Sequence, residues 1–146
     1  MININQPSHK YPENLDFPCT ISVQFFVREN KLCCDVFSRS EDIIFGLPYD
    51  MGFFSFLNEL VYTQLNESGK YNLRLGHTSI KCSFTQIYDQ SEKIAEQVLK
   101  LSKKKKPFKR QMPFIENAEM TLRDIYNREQ NTAIMKWINE NADLKN

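Results

Sequence analysis

The chain has 146 residues, of which 41% are hydrophobic and 25% are charged, a composition that indicates one globular domain over residues 1–146 and excludes a multidomain protein. Lys and Arg number 19 and Asp and Glu 18, so the net charge of +1 gives the chain as a whole no electrostatic reason to bind nucleic acid or an anionic membrane. No apolar run approaches the roughly 18 residues of a membrane helix, and the first residues lack a signal-peptide pattern, so we expect a soluble cytoplasmic protein without membrane contact.

The first regular element that the sequence predicts is a β-hairpin. Residues 20–28 are β-branched and aromatic throughout, and residues 32–39 resume this style after Glu29-Asn30-Lys31. Strand alternation separates Ile21, Val23, Phe25 and Val27 from the set of Ser22, Gln24, Phe26 and Arg28. The second set, which contains Gln24, is the one that could line a polar site.

A long, largely buried helix follows, because apolar residues recur at helical spacing over residues 49–65. Its first turn is expected near residues 46–50, where Asp50 could be a capping acid favoured by the helix dipole. A break at residues 66–69 precedes a strand over residues 71–84, a second amphipathic helix over residues 87–101, and two helices over residues 115–127 and 129–141. This order predicts an α+β fold with helices on one face of a sheet.

The cysteines and histidines do not form a metal-binding pattern. Cys33 and Cys34 lie in an apolar stretch and are expected to be buried thiols, and the two histidines stand alone. Neither a zinc site nor a disulfide framework is therefore expected, because CxxC spacing is missing.

The dense positive run from Lys103 to Arg110 begins the C-terminal region, residues 103–146. One interpretation is a solvated linker before the last two helices. The other is a local patch for phosphate or nucleic acid, although nucleic acid is not expected as the main partner.

Residues from Asp16 to Asp50 carry a set of motifs in a fixed order. Pro18-Cys19 precedes Gln24-Phe25, then Arg39-Ser40 with Asp42 two residues on, then Gly46-Leu47-Pro48-Tyr49-Asp50. This set resembles the nucleophile-bearing, C-terminal half of the thymidylate synthase family, and is closer to its cytidylate hydroxymethylase branch. With a weaker match downstream, the resemblance covers residues 17–96. It implies an α+β thymidylate-synthase-like sheet covered by helices and truncated at the N-terminus.

The resemblance implies that Cys19 is the catalytic nucleophile. In that family a thiolate adds to C6 of a pyrimidine ring, after which C5 can attack a one-carbon unit that methylenetetrahydrofolate supplies. Arg39 matches the residue that lies near both the thiolate and the nucleotide phosphate, and Ser40 would donate to the same phosphate. No metal is implied.

Further residues match base, sugar and cofactor contacts of the family. Asp50 stands where the hydroxymethylase branch has an aspartate, and a carboxylate suits the N4 amino group and protonated N3 of cytosine. Asp42 resembles the folate-contacting acid, and Tyr88 resembles the tyrosine that donates to the sugar 3′-hydroxyl. Gln86 replaces the histidine companion of that tyrosine, and Gln24 is carried over as substrate-binding.

The family's enzymes are longer, and the portion before the nucleophile carries their proton-transfer glutamate, part of the folate site, and arginines that reach across a dimer. We therefore expect pyrimidine nucleotide C5 one-carbon transfer, by a cytidine-nucleotide hydroxymethylase or a thymidylate-synthase-like enzyme, completed by a missing half or a partner chain. The isolated chain is expected to be inactive. The alternatives are a non-catalytic nucleotide-binding protein acting as sensor, sponge or assembly partner, and a piece of a longer enzyme. A homodimer or complementing chain is expected.

Overall fold

A four-stranded mixed sheet lies at the centre of the computed structural model, which describes residues 1–13, 17–102 and 112–141. The strands in chain order are β1 (Ile2–Asn3), β2 (Thr20–Arg28), β3 (Lys31–Ser38), β4 (Glu41–Asp42), β5 (Arg74–Cys82) and β6 (Thr85–Gln86). The main sheet has the order β1-β2-β3-β5, and β4 pairs with β6 in a small parallel sheet of its own. The run from Lys103 to Arg110 lies outside the described residues, so both interpretations of it stay predictions.

The predicted hairpin is confirmed as the antiparallel pair of β2 and β3. Glu29 and Asn30 form its two-residue turn, and their φ angles of 51° and 59° are the positive values that a tight hairpin turn requires. A register shift between Thr20 and Ser22 then aligns Thr20 with Ser38, which brings the segment before β2 beside the segment after β3. This register positions the candidate site.

The long helix α1 (Gly46–Glu67) connects β3 with β5 and begins within the range predicted for its first turn, residues 46–50. Because β3 and β5 are parallel, they need such a crossover connection. One face of α1 covers the sheet, where Phe54 packs against Val23, Cys34 and Val36. Asp50 lies beyond the first turn of α1, so its interpretation as a capping acid is wrong.

Three polar side chains on α1 bind the backbone of Ile115 and Ala118, within the C-terminal region. Glu59 Oε1 accepts a hydrogen bond from the backbone N–H of Ile115 at 2.7 Å, and Thr63 Oγ1 donates to the Ile115 carbonyl at 3.2 Å. Glu67 accepts from the N–H of Ala118 at 3.1 Å. Spacing of four residues stacks the three side chains on one helix face. We refer to Glu59, Thr63 and Glu67 as the α1 clamp.

The last two helices are shorter than predicted, namely α3 (Ala118–Asn127) and α4 (Ala133–Asn141). Asn117 caps α3 by accepting from Met120 N–H, which delays the start of the helix. Between the helices, the Asp124 carboxylate accepts hydrogen bonds from Asn131 and Thr132, so this segment is a fixed loop instead of a first turn. Burial opposes ionisation of Asp124, but these hydrogen bonds outweigh it and hold its pKa below the usual range.

The helix α2 (Glu92–Ser102) follows a single 3-10 turn at Asp89–Ser91, so the predicted start at residue 87 is five residues early. Its apolar residues, Ile94, Val98, Leu99 and Leu101, are exposed. With α1 packed on one face of a mixed sheet and the last two helices packed against α1, the α+β class predicted from the sequence is confirmed. No helix within the described ranges is long and apolar enough to span a membrane.

Candidate functional site

Cys19 and Ser40 meet where β2 begins and β3 ends. The Arg39 N–H donates to the Cys19 carbonyl at 2.9 Å, and Ser38 Oγ donates to the same oxygen at 3.1 Å. The exposed Cys19 Sγ lies 3.5 Å from the Ser40 hydroxyl oxygen. Two residues that are 21 positions apart in sequence are therefore neighbours at the surface.

The Arg39 guanidinium is held against the backbone that leads to Cys19. Its Nη2 donates to the Phe17 carbonyl at 2.7 Å, its Nε donates to the Pro18 carbonyl at 3.2 Å, and its Nη1 donates to Ser40 Oγ at 3.3 Å. The group also lies 5.3 Å from the centre of the Phe17 ring, within cation–π range. A guanidinium has more N–H donors than these contacts use, so an anion can still be bound beside the thiol.

Asp42 and Gln86 are brought together by the small sheet of β4 and β6. They are register partners in this parallel pair. Asp42 Oδ1 accepts from the Ile44 N–H at 2.9 Å, which fixes the turn that leads into α1. Tyr88 follows Gln86 by two residues and is exposed. The predicted folate-contacting acid and the predicted sugar contacts thus lie in neighbouring segments.

Asp50 lies on α1 one turn beyond Gly46, and burial raises its pKa. Near it is a residue that the sequence did not single out, Glu41, which is only 5% exposed. Burial raises the pKa of Glu41, and the negative charge of Asp50 raises it further. The pKa of the Cys82 thiol is raised by burial and then by the charges of Glu41 and Asp50. These three side chains therefore converge at the end of β5.

Gln24 lies apart from these residues. Its neighbours Val23 and Phe25 belong to the core beneath α1, so Gln24 points to the other face of the sheet, where it aligns with Asp35. There Asp35 accepts hydrogen bonds from Ser79 and from Lys81, the latter at 2.6 Å. The structure does not bring Gln24 to the Cys19 site, and its assignment as substrate-binding stays a prediction.

The remaining cysteines confirm the expectation of buried thiols. Cys33 and Cys34 are buried, and the pKa of Cys34 is raised to about 11, by burial first and by the charge of Asp35 second. A thiol of that kind is inert at neutral pH. Among the described residues, no group of three His, Cys, Asp or Glu side chains is arranged to hold a metal ion.

A side-chain setting suited to a flat heteroaromatic cofactor occurs at the start of α1. The rings of Phe45 and Tyr49 are exposed there, and Asp42 supplies a carboxylate in the preceding turn. Exposed aromatic faces and a carboxylate acceptor are the groups that a pterin ring with amino and N–H donors would use. These side-chain types suit such a ring, and a folate contact at Asp42 stays a prediction.

Comparisons with known proteins agree with the motifs around Cys19. The sequence model of the family described as "Thymidylate synthase" matches residues 3–136. Among solved structures, the thermostable thymidylate synthase A from Bacillus subtilis is similar at 23% sequence identity and a TM-score of 0.45, over 64% of this chain. The chain spans 30% of the length of that protein. The match of the family over residues 3–136 confirms the resemblance inferred from the motifs, and the chain belongs to the thymidylate synthase family.

Proposed function

We propose that this chain is the nucleophile-bearing part of an enzyme that transfers a one-carbon unit to C5 of a pyrimidine nucleotide, with a cytidine nucleotide as substrate. The observation that carries the proposal is the cluster of Cys19, Arg39 and Ser40, in which the thiol, a hydroxyl and a guanidinium are linked within hydrogen-bond distance. The three groups correspond to a nucleophile and two phosphate donors.

In this proposal Cys19 Sγ, as the thiolate, forms a bond to C6 of the ring, and the electron pair of the C5–C6 double bond moves toward C4. C5 then becomes nucleophilic. Methylenetetrahydrofolate, when bound, supplies the one-carbon unit. The Arg39 guanidinium, which donates to Ser40 beside the thiol, binds the nucleotide phosphate. Loss of the C5 proton, release of tetrahydrofolate, addition of one water to the C5 methylene and departure of the sulfur give the hydroxymethyl product and restore the aromatic ring and the free thiolate.

Asp50 is the proposed base-reading residue. A carboxylate accepts from the N4 amino group of cytosine, whereas an amide at this position can pair with both O4 and N3–H of uracil. Tyr88 and Gln86 are proposed to contact the sugar, and Asp42 the cofactor. This assignment favours the hydroxymethylase branch over thymidylate synthases proper.

The proton transfers of the proposed reaction need groups from another segment or chain, because general acid–base assistance is worth about 10² to 10⁴ in rate. We propose a homodimer or a complementing chain as their source. The sheet face that carries Gln24 and Asp35, opposite α1, is the proposed contact. Sedimentation of the chain at micromolar concentration is expected to show a dimer, and a monomer would contradict the homodimer.

A second candidate is a nucleotide-binding protein without chemistry, acting as sensor, sponge or assembly partner. Gln86 favours it, because an amide at this position can hydrogen-bond to a sugar but cannot transfer protons as a histidine can. Arg39, Ser40 and Asp50 would serve such a protein equally well.

The proposed enzymatic activity is tested by measuring the release of tritium from C5-labelled cytidine monophosphate in the presence of methylenetetrahydrofolate. Tritium release that disappears in Cys19→Ser, with nucleotide binding retained, supports C5 transfer. If the wild-type chain binds the nucleotide but releases no tritium, either as the homodimer or with a complementing chain, the candidate without chemistry is favoured. Loss of both signals rejects both candidates.

A further inference from the structure

Glu41 is a buried carboxyl that the proposed function does not use. It lies in the two-residue strand β4, and its backbone N–H donates to the Phe84 carbonyl at 3.0 Å. Only 5% of the residue is exposed, yet Oε2 has no hydrogen-bond partner among the described residues. Most buried polar atoms in proteins are paired, and an unpaired one costs free energy. A hydrogen-bond partner is therefore expected for Glu41 Oε2.

The N-terminal part of α1 brings Gly46 against this carboxyl and carries Asp50 one turn later. A Cβ atom added to Gly46 would lie 2.6 Å from Glu41 Oε1, so the carboxyl packs directly against the helix at that residue. Asp50 is four residues later, which puts it on the same helix face, one turn along. The buried carboxyl of Glu41 thus packs against the face of α1 that carries Asp50.

We propose that Glu41 is a positioning residue that keeps a proton behind Asp50 and donates it as a hydrogen bond from Oε2, so that Asp50 faces the pyrimidine ring as an oriented acceptor carrying the only negative charge of the pair. The inference rests on the proposed function, since the role of Asp50 as base reader belongs to it. It adds a specificity-determining residue that lies outside the contact surface of the nucleotide.

The groups that face Glu41 support retention of the proton. Burial is the largest influence raising its pKa, the charge of Asp50 on α1 is second, and the charge of Asp42 in the same strand adds to them. The hydroxyl of Ser38 on β3 opposes these influences. Cys82 at the end of β5 is itself held in the thiol form by burial and by Glu41 and Asp50. When two carboxyls lie close together, repulsion between their charges favours the state in which one of them stays protonated. The proton remains on the more deeply buried carboxyl, because burial disfavours its charged form.

Ionisation of Glu41 would place a second negative charge behind Asp50. Two buried like charges repel, and the Asp50 carboxylate would lose both its donor and its orientation. The affinity for cytidine monophosphate is therefore expected to fall as the pH rises through the titration of Glu41. The phosphate and N3 of the nucleotide also titrate, so the comparison between variants is the informative quantity.

The test combines carboxyl ¹³C NMR titration of the whole chain with calorimetric titration of cytidine monophosphate across pH. Glu41→Gln keeps an N–H donor and removes the charge, Glu41→Leu removes both, and Glu92→Gln, at an exposed position at the start of α2, is the matched control. In Glu41→Gln we expect the Asp50 midpoint to stay close to that of wild type, the affinity to stay within about twofold of wild type at low pH, and the alkaline loss of affinity to disappear. Glu41→Leu is expected to raise the Asp50 midpoint, because the hydrogen-bond donor is lost, and to bind about fivefold or more weakly than Glu41→Gln at every pH, whereas the control is expected to match wild type.

An Asp50 midpoint that is the same in wild type and Glu41→Leu overturns the inference, and so does equal binding by the Gln and Leu variants. If Glu41→Leu does not fold, the Gln variant decides alone, and an alkaline loss of affinity that persists in Glu41→Gln overturns the inference. An Asp50 midpoint that moves in a chain that binds no nucleotide contradicts the proposed function, and with it the role of Glu41 in base selection. Nucleotide binding with an unmoved midpoint in Glu41→Leu rejects only the role of Glu41.

Discussion

At the scale of single residues, Arg39 has the largest share of contacts around the candidate nucleophile. Its guanidinium donates to two carbonyls of the segment before Cys19 and to the Ser40 hydroxyl. Lysine has a single charged nitrogen and cannot make these separated contacts at once. The identity of this side chain therefore affects both the shape of the loop and the charge near the thiol.

Arg39→Lys is expected to weaken binding of cytidine monophosphate about tenfold, because a charged hydrogen bond to phosphate is worth about 1.5 to 3 kcal/mol. Calorimetric titration measures this effect. Arg28→Lys, at the exposed end of β2, is the control and should leave the affinity unchanged. Equal affinity of wild type and Arg39→Lys would remove Arg39 from the phosphate site.

The residues of this site differ in how far the sequence could predict them. The proximity of Cys19 and Arg39 was expected from the family resemblance alone, because the sequence does not fix the register that aligns the start of β2 with the end of β3. Glu41 could not be found in this way. Its burial depends on the pairing of β4 with β6, a contact between short segments far apart in the chain that no periodicity signals. From the sequence alone, an acidic residue such as Glu41 in a polar stretch would be predicted to lie at the surface.

At the scale of elements, the α1 clamp joins the C-terminal region to the helix that covers the sheet. The Glu59 carboxylate accepts from a buried backbone N–H, and the residue itself is buried. The clamp also explains a partial failure of the prediction for the tail. Helical spacing predicts a helix from residue 115, but the backbone of Ile115 is engaged by α1, so α3 begins only at Ala118.

Glu59→Ala is expected to lower the free energy of unfolding by about 1 to 3 kcal/mol, because the buried Ile115 N–H loses its acceptor. Urea denaturation followed by circular dichroism measures this change. Gln64→Ala, on the exposed side of the same helix, should alter stability by no more than about 0.5 kcal/mol. Similar stabilities of the two variants would mean that the clamp does not hold the C-terminal region.

At the scale of the whole molecule, two carboxyls with opposite pKa shifts shape the dependence of stability on pH. The pKa of Glu41 is raised above its ordinary value of 4.5, so its contribution is complete below that value and is lost as the pH rises through the folded-state pKa. The pKa of Asp35 is lowered from 3.8, chiefly by the Lys81 and Ser79 hydrogen bonds. Its contribution is present above 3.8 and is lost as the pH falls through the lowered value.

Urea denaturation at a series of pH values is expected to separate the two carboxyls. Glu41→Gln should gain stability relative to wild type as the pH rises above 4.5, because the variant has no buried charge to form. Asp35→Asn should be less stable than wild type at neutral pH, and this difference should shrink toward acid pH. A constant difference across pH for either variant would show that its carboxyl is not shifted in the folded state.

The central claim concerns a cytosine-reading nucleotide site formed by Cys19, Arg39 and Asp50, and calorimetric titration with cytidine and uridine monophosphates tests it most directly. The wild-type chain is expected to prefer the cytidine nucleotide, Cys19→Ser to keep that preference, and Asp50→Asn to shift it toward the uridine nucleotide by about fivefold or more. Unchanged base preference in Asp50→Asn, or no binding of either nucleotide by the wild-type chain and its dimer, would contradict the account.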